Sequence, residues 1–229
     1  MKRSISVFLF ISCAVQLFLP CRAYSTEAVC RVDCSGKKIA LTFDDGPHPV
    51  YTREILDILS EYGVSATFFI VGKNAEEYPD IIIDEIADGH EIGSHTYSHS
   101  FMNRLSYDEI SDELSENERV ISAICDYRFK NIRPPGGIYA DSLERAAEEF
   151  SYNIVLWSVD TRDWTRPDPE RIVMTVESQV TDGDIILMHD YVAGGASSTP
   201  VALRRIIPDL LERGFEFVTV SELLASSDV

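Results

Sequence analysis

The alternation of short, β-rich apolar runs with amphipathic stretches is the feature that most restricts how this 229-residue chain can fold. Seven runs are typical of buried strands, and the stretches between them carry apolar residues at helical spacing. Capping residues agree with this division, since Ser106 and Glu109 form a capping box and Asp168 precedes a proline at a helix start. The predicted strands cover residues 38–43, 66–71, 91–93, 131–133, 153–159, 184–188 and 215–220. The predicted helices cover residues 52–62, 78–87, 106–125, 141–150 and 199–214, with one more beginning at 169.

Strands that alternate with helices in this way form right-handed βαβ units and a parallel sheet. The sequence therefore predicts an α/β fold, and its length fits one domain, because α/β barrels commonly run past about 200 residues as a unit. In such folds the functional side chains gather at the carboxyl ends of the strands.

The first 23 residues have the pattern of a signal peptide. Lys2 and Arg3 form a basic start, residues 5–19 are apolar, and residues 21–23 resemble a cleavage site. A retained membrane anchor is the alternative, but the apolar stretch is shorter than the roughly 20 residues that a span needs. We expect a secreted protein, extracellular or associated with the cell wall, that is not inserted in a membrane after cleavage. The predicted organisation is a signal peptide (1–23), an N-terminal segment (24–37), one domain (38–224) and a tail (225–229).

Charge and cysteine content restrict the partners. Residues 1–23 hold three basic residues and no acidic one, so their removal changes the formal net charge from −18 to −21. A negative field of this size argues against nucleic acid as a partner. Three cysteines remain after cleavage, Cys30, Cys34 and Cys125. Cys30 and Cys34 are close enough to pair, but the odd number allows no firm assignment, and the paired spacings of a cysteine zinc site are missing.

Polar side chains follow five of the predicted strands, which predicts a site at that end of the sheet. They are Asp44, Asp45, His95, Arg133, Asp160, Asp163 and His189. His95 and His99 are four residues apart, and on one helical turn both imidazoles could reach a single ion. Either aspartate could complete a site of two histidines and one carboxylate, which leaves a position open for water, as in catalytic zinc sites.

The remaining residues suggest a hydrolytic mechanism. The aspartate that does not bind metal could take a proton from water, and Arg133 could keep it ionised. His189 could donate a proton to the leaving amine, and Asp163 is the candidate carboxylate that would hold this histidine protonated. His48, His90 and Trp157 have no place in this scheme and are predicted to be structural, whereas Tyr191 could face the groove.

The ordered motifs TFDDG, SHTYSH, RPPGG, DTRDW and LMHD resemble the polysaccharide deacetylases of the NodB-homology type, carbohydrate esterase family 4. The resemblance covers residues 38–224. It implies a distorted (β/α)7-type barrel, a single NodB-homology domain, which agrees with the seven predicted strands. It also implies a bound divalent metal, zinc or another such as cobalt.

The resemblance divides the site into roles. Asp44 corresponds to the catalytic base and Asp45 to the metal ligand beside His95 and His99. Arg133 corresponds to the residue that orients the base, and Asp163 to the residue that tunes the catalytic His189. The expected substrate-binding residues are Gly136, Tyr139, Trp164 and Leu187. Trp164 and Leu187 correspond to walls around the acetyl methyl group. The family often has tyrosine at Gly136, where the backbone N–H binds the oxyanion; Tyr139 could supply the missing ring.

The resemblance implies a hydrolase that removes N-acetyl groups from a β-1,4-linked amino sugar polymer. We expect a monomer, with peptidoglycan N-acetylglucosamine as the first choice of substrate because the signal peptide looks bacterial. Chitin or chito-oligosaccharides are the second choice. Two alternatives remain: an acetyl-xylan esterase, and a non-catalytic glycan-binding relative. Relatives of the last kind usually lose a ligand or the base, and this chain keeps Asp44, Asp45, His95, His99 and His189.

Overall fold

A parallel sheet of eight strands forms the centre of the molecule in a computed structural model, which describes residues 27–227. The strands are β1 (Lys38–Asp44), β2 (Thr67–Ile70), β3 (Glu91–Ser94), β4 (Asn131–Ile132), β5 (Asn153–Ile154), β6 (Val159–Asp160), β7 (Ile185–His189) and β8 (Glu216–Phe217). The helices are α1 (Tyr51–Tyr62), α2 (Gly72–Glu77), α3 (Pro79–Ala87), α4 (Tyr107–Ile124), α5 (Asp141–Phe150), α6 (Pro169–Gln179), α7 (Thr199–Glu212) and α8 (Val220–Ala225). The predicted signal peptide, residues 1–23, lies outside the described residues.

The sheet curls into a distorted barrel. Its strand order is β5-β4-β3-β2-β1-β7-β6, and β8 pairs with the start of β1. β5 and β6 lie at opposite ends of this order although only residues 155–158 separate them, so the two edges come together. The Val155 N–H donates to a carbonyl of β4 at 2.8 Å, and the Ser158 N–H donates to one of β7 at 3.0 Å. The predicted α/β barrel is confirmed.

Two predicted strands differ from the structure. The strand expected at residues 153–159 is divided into β5 and β6, because it bridges the seam of the barrel instead of pairing along its length. The strand expected at residues 215–220 is only two residues long. Thr219 then caps α8, and its side chain accepts a hydrogen bond from the backbone of Glu222 in a capping box. Helices α2 and α8 were not predicted.

The two faces of the sheet have different environments, since neighbouring strand residues point to opposite sides. On β1, Leu41 and Phe43 belong to the main core with the surrounding helices, whereas Ala40 belongs to a smaller cluster inside the barrel. Val220 and Leu223 of α8 join that inner cluster and close the amino-terminal end. The carboxyl ends of the strands remain open for a site.

The N-terminal segment is part of this structure. The Val29 N–H donates to a carbonyl of β5 at 2.8 Å, beside the seam of the barrel. Cys30, Cys34 and Cys125 are free thiols, so the pairing that the spacing of Cys30 and Cys34 allows is not made. Within residues 27–227 no helix combines the length and the apolar character that a membrane crossing requires.

Candidate active site

Asp45, His95 and His99 converge at the carboxyl end of the barrel. One ligand atom from each lies within 4.8 Å of the others. The Oδ1 atom of Asp45 is 3.0 Å from Nε2 of His99 and 3.3 Å from Nε2 of His95. Nδ1 of the buried His95 lies 2.7 Å from the backbone carbonyl oxygen of Arg133 and donates to it, which leaves the Nε2 lone pair directed at the site.

The group of Asp45, His95 and His99, called the metal cluster below, fits a divalent cation. The Oδ1 atom of Asp45 is buried and has no hydrogen-bond partner, although two imidazole nitrogens approach it closely. Lone pairs that converge without hydrogen bonds between them are what a metal site requires. Burial, the largest single effect, raises the pKa of the Asp45 carboxyl. The contacts with His95 and His99 together lower it by more, so that the pKa lies well below its usual value. The carboxylate is therefore ionised, as a metal ligand must be.

The two histidines reach the site from a loop and not from a helical turn, contrary to the prediction. The loop follows β3, and its backbone is left-handed at Thr96 and at His99, with φ of 69° and 60°. Left-handed backbone is unfavourable for residues other than glycine and persists where the surroundings enforce it, often at functional sites. The two imidazoles therefore lie close together, as predicted, but on a loop and not on a helical turn.

Helix α4 holds this loop. Nδ2 of the buried Asn117 is 3.0 Å from Oγ of Ser94 and 3.0 Å from the carbonyl oxygen of Thr96. One turn earlier, the Glu113 carboxylate accepts hydrogen bonds from the N–H and the hydroxyl of Ser98, at 2.8 and 2.5 Å. Sequence analysis missed Asn117 and Glu113, because both are ordinary polar residues of an amphipathic helix.

Asp44 and Arg133 form a buried ion pair behind the metal cluster. Nη1 of Arg133 is 2.7 Å from Oδ1 of Asp44, and their side chains are 0 % and 5 % exposed. The same nitrogen donates to the Thr42 hydroxyl at 2.8 Å, and the guanidinium lies over the Phe69 ring at 4.1 Å. The second carboxylate oxygen of Asp44 lies 3.8 Å from Nε2 of His95. Arg133 thereby fixes one oxygen of Asp44 and leaves the other beside the metal cluster.

His189 and Asp163 form a second pair. Nδ1 of His189 is 2.7 Å from Oδ1 of Asp163, and the other carboxylate oxygen accepts from the His189 N–H at 2.8 Å and from the Thr199 hydroxyl at 2.7 Å. Burial, the largest effect, lowers the pKa of His189, but Asp163 and the nearby Asp44 and Asp45 raise it, and the net result is a pKa of about 9. Sequence analysis assigned Thr199 only to a helix start.

A cavity of about 410 Å³ connects these groups. Trp164 is 58 % exposed at its rim, whereas Leu187 is buried in its wall. Two of its residues were missed: Phe101, which was not considered, and Trp157, which was expected in the core and instead belongs partly to the inner cluster and partly to this wall. Its lining is completed by Asp44, Asp45, His95, His99, Gly136, Asp160 and His189.

The predicted substrate contacts at the RPPGG motif need one correction. Gly136 is exposed at the cavity with φ of 66°, and a Cβ atom there would lie 3.1 Å from the Phe101 ring. Tyr139 does not line this cavity and packs against the main core near Ala28, because the chain turns away after Gly137. The ring beside Gly136 is therefore that of Phe101 and not that of Tyr139.

His48 and His90 take structural roles. Nδ1 of His48 accepts the Val50 N–H at 3.1 Å, and Nδ1 of His90 accepts the Ala66 N–H at 3.2 Å. Neither residue lines the cavity.

Two imidazoles and a carboxylate that could hold a metal ion, with a second carboxylate and a histidine–aspartate pair beside them, form an arrangement suited to metal-assisted hydrolysis. Comparison with known proteins identifies the family. The sequence profile described as polysaccharide deacetylase matches residues 31–155. A peptidoglycan-N-acetylglucosamine deacetylase of Bacillus cereus is 40% identical over 192 residues, which cover 82% of this chain and 88% of that protein. The chain belongs to the polysaccharide deacetylase family, as the motifs predicted.

Solved structures agree with this assignment. Wild-type BA3943, a CE4 family pseudoenzyme from Bacillus anthracis, has a TM-score of 0.82 and 33% identity and covers 90% of this chain and 71% of its own. A family 4 acetyl xylan esterase from Clostridium thermocellum in complex with a cobalt ion has a TM-score of 0.77 and 37% identity, with 82% and 91% coverage. The predicted enzyme class, a hydrolase of amide bonds, is confirmed at the level of the family. Since one structural relative is a pseudoenzyme, the turnover of this chain must be argued from its own site.

Proposed function

We propose that this protein hydrolyses the N-acetyl groups of peptidoglycan N-acetylglucosamine and releases acetate and a free amine. The observation that carries the proposal is the assembly of three separate units around one cavity: the Asp45–His95–His99 cluster, the Asp44–Arg133 pair and the Asp163–His189 pair. These units would supply a base, three metal ligands and an acid, and a glycan-binding protein without activity needs none of them.

Asp45, His95 and His99 would hold the metal ion, with zinc proposed and cobalt as the alternative. When bound, such a cation polarises the acetyl carbonyl and lowers the pKa of a water molecule to roughly 7. The donor set of two imidazoles and one carboxylate is common to catalytic zinc sites. The role of the protein is to hold these ligands in the left-handed loop that α4 braces.

Asp44 acts as the general base. Its free oxygen takes a proton from the water that attacks the acetyl carbonyl carbon. Arg133 orients Asp44, because the buried guanidinium donates hydrogen bonds to Asp44 and to Thr42 that hold it in place. The backbone N–H of the exposed Gly136 helps to stabilise the negative charge that develops on the carbonyl oxygen.

His189 acts as the acid for the leaving amine. Asp163 binds its Nδ1–H, so that Nε2 is the ring nitrogen available to the substrate. With a pKa of about 9 the imidazole carries a proton at neutral pH. The C–N bond breaks as this proton moves to the sugar nitrogen, and acetate leaves.

The walls of the cavity suit an N-acetylated sugar. Leu187 and Trp164 would enclose the acetyl methyl group, and the Phe101 ring beside Gly136 would contact the sugar. The preference for peptidoglycan is supported by the name of the Bacillus cereus relative. A glycan outside the cell also agrees with the proposed signal peptide at residues 1–23, a secreted or wall-associated monomer, and a domain at 38–224. Nucleic acid is not a proposed partner.

The test is acetate release from peptidoglycan, chito-oligosaccharides and acetylated xylan, with new free amines counted in parallel. We expect acetate and amine in equal amounts, with the highest rate on peptidoglycan. Asp44→Asn serves as the control, since it should retain bound metal without turnover. Higher turnover on chito-oligosaccharides would change the assigned substrate. Acetate from xylan alone would identify an esterase, and no acetate from metal-loaded protein on any glycan would reject catalysis.

A further inference from the structure

A second cavity adjoins the metal cluster. Its volume is about 260 Å³. It shares Asp45 and His99 with the cavity of about 410 Å³ described above, called the acetyl cavity below. A polymer whose acetyl group lies at the metal must place a neighbouring sugar on each side of the reacting one. The second cavity is therefore in the right position for one of those neighbours. Its remaining lining is Val71, Lys73, Asn74, Ser98 and Tyr191.

Two groups in this second cavity have donors to spare. Among residues 27–227, the exposed Lys73 forms no salt bridge, and its ammonium lies over the Tyr97 ring at 5.6 Å from the ring centre. The hydroxyl of Tyr191 likewise makes no hydrogen bond with a described residue, while its ring packs edge-on to His48. The Asn74 amide already donates to the Asp45 carbonyl at 2.7 Å. No described carboxylate forms an ion pair with Lys73 in this cavity, and an anionic ligand would satisfy its ammonium best.

The backbone of Lys73 is fixed relative to the loop that follows β3 and carries His95 and His99, called the metal loop below. The N–H groups of Gly72 and Lys73 donate to the carbonyls of Thr96 and Tyr97, both at 3.0 Å. A side chain at Gly72 is excluded, since its Cβ would lie 2.7 Å from the Tyr97 ring and 2.8 Å from Asn117. The start of the Lys73 side chain is thus held at a set distance from the metal ligands, and only its flexible end needs to move to meet a ligand.

The acetyl cavity has the opposite character. Its walls are aromatic at Trp157, Trp164 and Phe101, and it also contains the Asp160 carboxylate. Of the described residues that line the two cavities, Lys73 is the only lysine or arginine. In a chain with a formal net charge of −18, an unpaired cation beside the metal site suggests a ligand with a negative charge on one side of the acetyl group only.

Resting on the proposed function, we propose that Lys73 binds the lactyl carboxylate of the N-acetylmuramic acid that adjoins the N-acetylglucosamine being deacetylated, and that Tyr191 donates a second hydrogen bond to it. The two sugars of peptidoglycan differ by this lactyl ether, and chitin has no such group. Lys73 then determines specificity for peptidoglycan strands with free lactyl carboxylates over chitin. The stem peptide converts the same carboxylate into an amide, so strands from which the peptide has been removed are the preferred substrate.

The test compares kcat/KM on three tetrasaccharides of equal length. The first alternates N-acetylglucosamine and N-acetylmuramic acid with free lactyl carboxylates, the second carries these groups as methylamides, and the third is chitotetraose. For Lys73→Gln we expect kcat/KM to fall by about threefold to tenfold on the first substrate, through KM, and to stay unchanged on the other two. Lys73→Arg should retain most of the preference. Lys130→Gln is the control, because it removes the same charge from an exposed residue just before β4.

The outcomes separate this inference from the proposed function. If wild-type enzyme deacetylates the first substrate and Lys73→Gln lowers kcat/KM equally on all three, or on none, the role of Lys73 is wrong while the proposed function stands. If wild-type enzyme prefers the methylamide to the free carboxylate, the assignment is also wrong. If wild-type enzyme acts on chitotetraose alone, the proposed peptidoglycan substrate fails, and the inference fails with it.

Discussion

At the scale of single residues, the adjacent Asp44 and Asp45 raise the question of how neighbours can serve one site. On a regular strand they would point to opposite faces of the sheet. Asp45 instead has a φ of 77°, so the strand ends there and both carboxylates face the metal cluster. The sequence predicted that the two acids would differ in role, but a left-handed aspartate could not be foreseen from the motif.

The division of roles can be tested by changing each acid in turn. Asp44→Asn should retain bound metal and lose about 10²–10⁴-fold in turnover, because a general base has been removed. Asp45→Asn should lose the metal, because a charged ligand has become a neutral amide. The measurements are metal content after gel filtration and the rate of acetate release. Equal metal loss in both variants would show that the division between Asp44 and Asp45 is wrong.

The pH dependence of turnover follows from the Asp163–His189 pair. A raised pKa of about 9 means that His189 is protonated at neutral pH and loses its proton as the pH rises through that value. We therefore expect the rate on an N-acetylated sugar to fall on the alkaline side near pH 9. In Asp163→Asn the pKa of His189 should drop, so this limb should move to lower pH.

Asp160→Asn is the matched control, because Asp160 lines the same cavity and its carboxylate accepts the Arg162 N–H without a hydrogen bond to His189. Its alkaline limb should stay in place. An unchanged limb in Asp163→Asn would mean that another group titrates there.

At the scale of secondary-structure elements, the site depends on contacts between helices and loops that are distant in sequence. The metal loop is held by Asn117 and Glu113 of α4, and Asp163 is held by Thr199 at the start of α7. No short-range pattern marks these residues, since a buried polar residue in an amphipathic helix resembles an exposed one. Helix α8 is different, because the capping box of Thr219 and Glu222 is present in the sequence and was overlooked.

Asn117 provides the prediction at this scale. Asn117→Ala removes the donor to Thr96 and Ser94 and leaves buried acceptors unsatisfied, so the free energy of unfolding should fall by about 1–3 kcal/mol. Loss of a group that supports a ligand typically weakens metal affinity by about 10–100-fold. Chemical denaturation and metal titration measure the two effects.

The control is Ser122→Ala in the same helix, where the exposed side chain should change stability by no more than about 0.5 kcal/mol. If Asn117→Ala binds metal as tightly as the wild type, α4 does not support the loop in the way we describe.

At the scale of the whole molecule, the parallel sheet and the position of the candidate site followed from the sequence pattern, and the barrel followed from the family resemblance. Regular alternation predicted parallel strands, and parallel strands placed their polar carboxyl ends on one face. The way in which the barrel closes could not be predicted from the sequence, because it depends on residues 155–158 joining two edges of the sheet. Short strands at such a seam have no sequence pattern of their own. The walls of the acetyl cavity were also only partly predicted, since Phe101 and Trp157 are identified by position and not by motif.

The central claim is that Asp45, His95 and His99 hold a metal ion on which deacetylation depends. The most direct measurement is acetate release from peptidoglycan by one preparation before chelation, after chelation, and after addition of zinc or cobalt, with bound metal determined in each sample. We predict that acetate release falls with bound metal and returns at about one ion per chain, and that His95→Ala recovers neither. Full acetate release from metal-free protein would contradict the account.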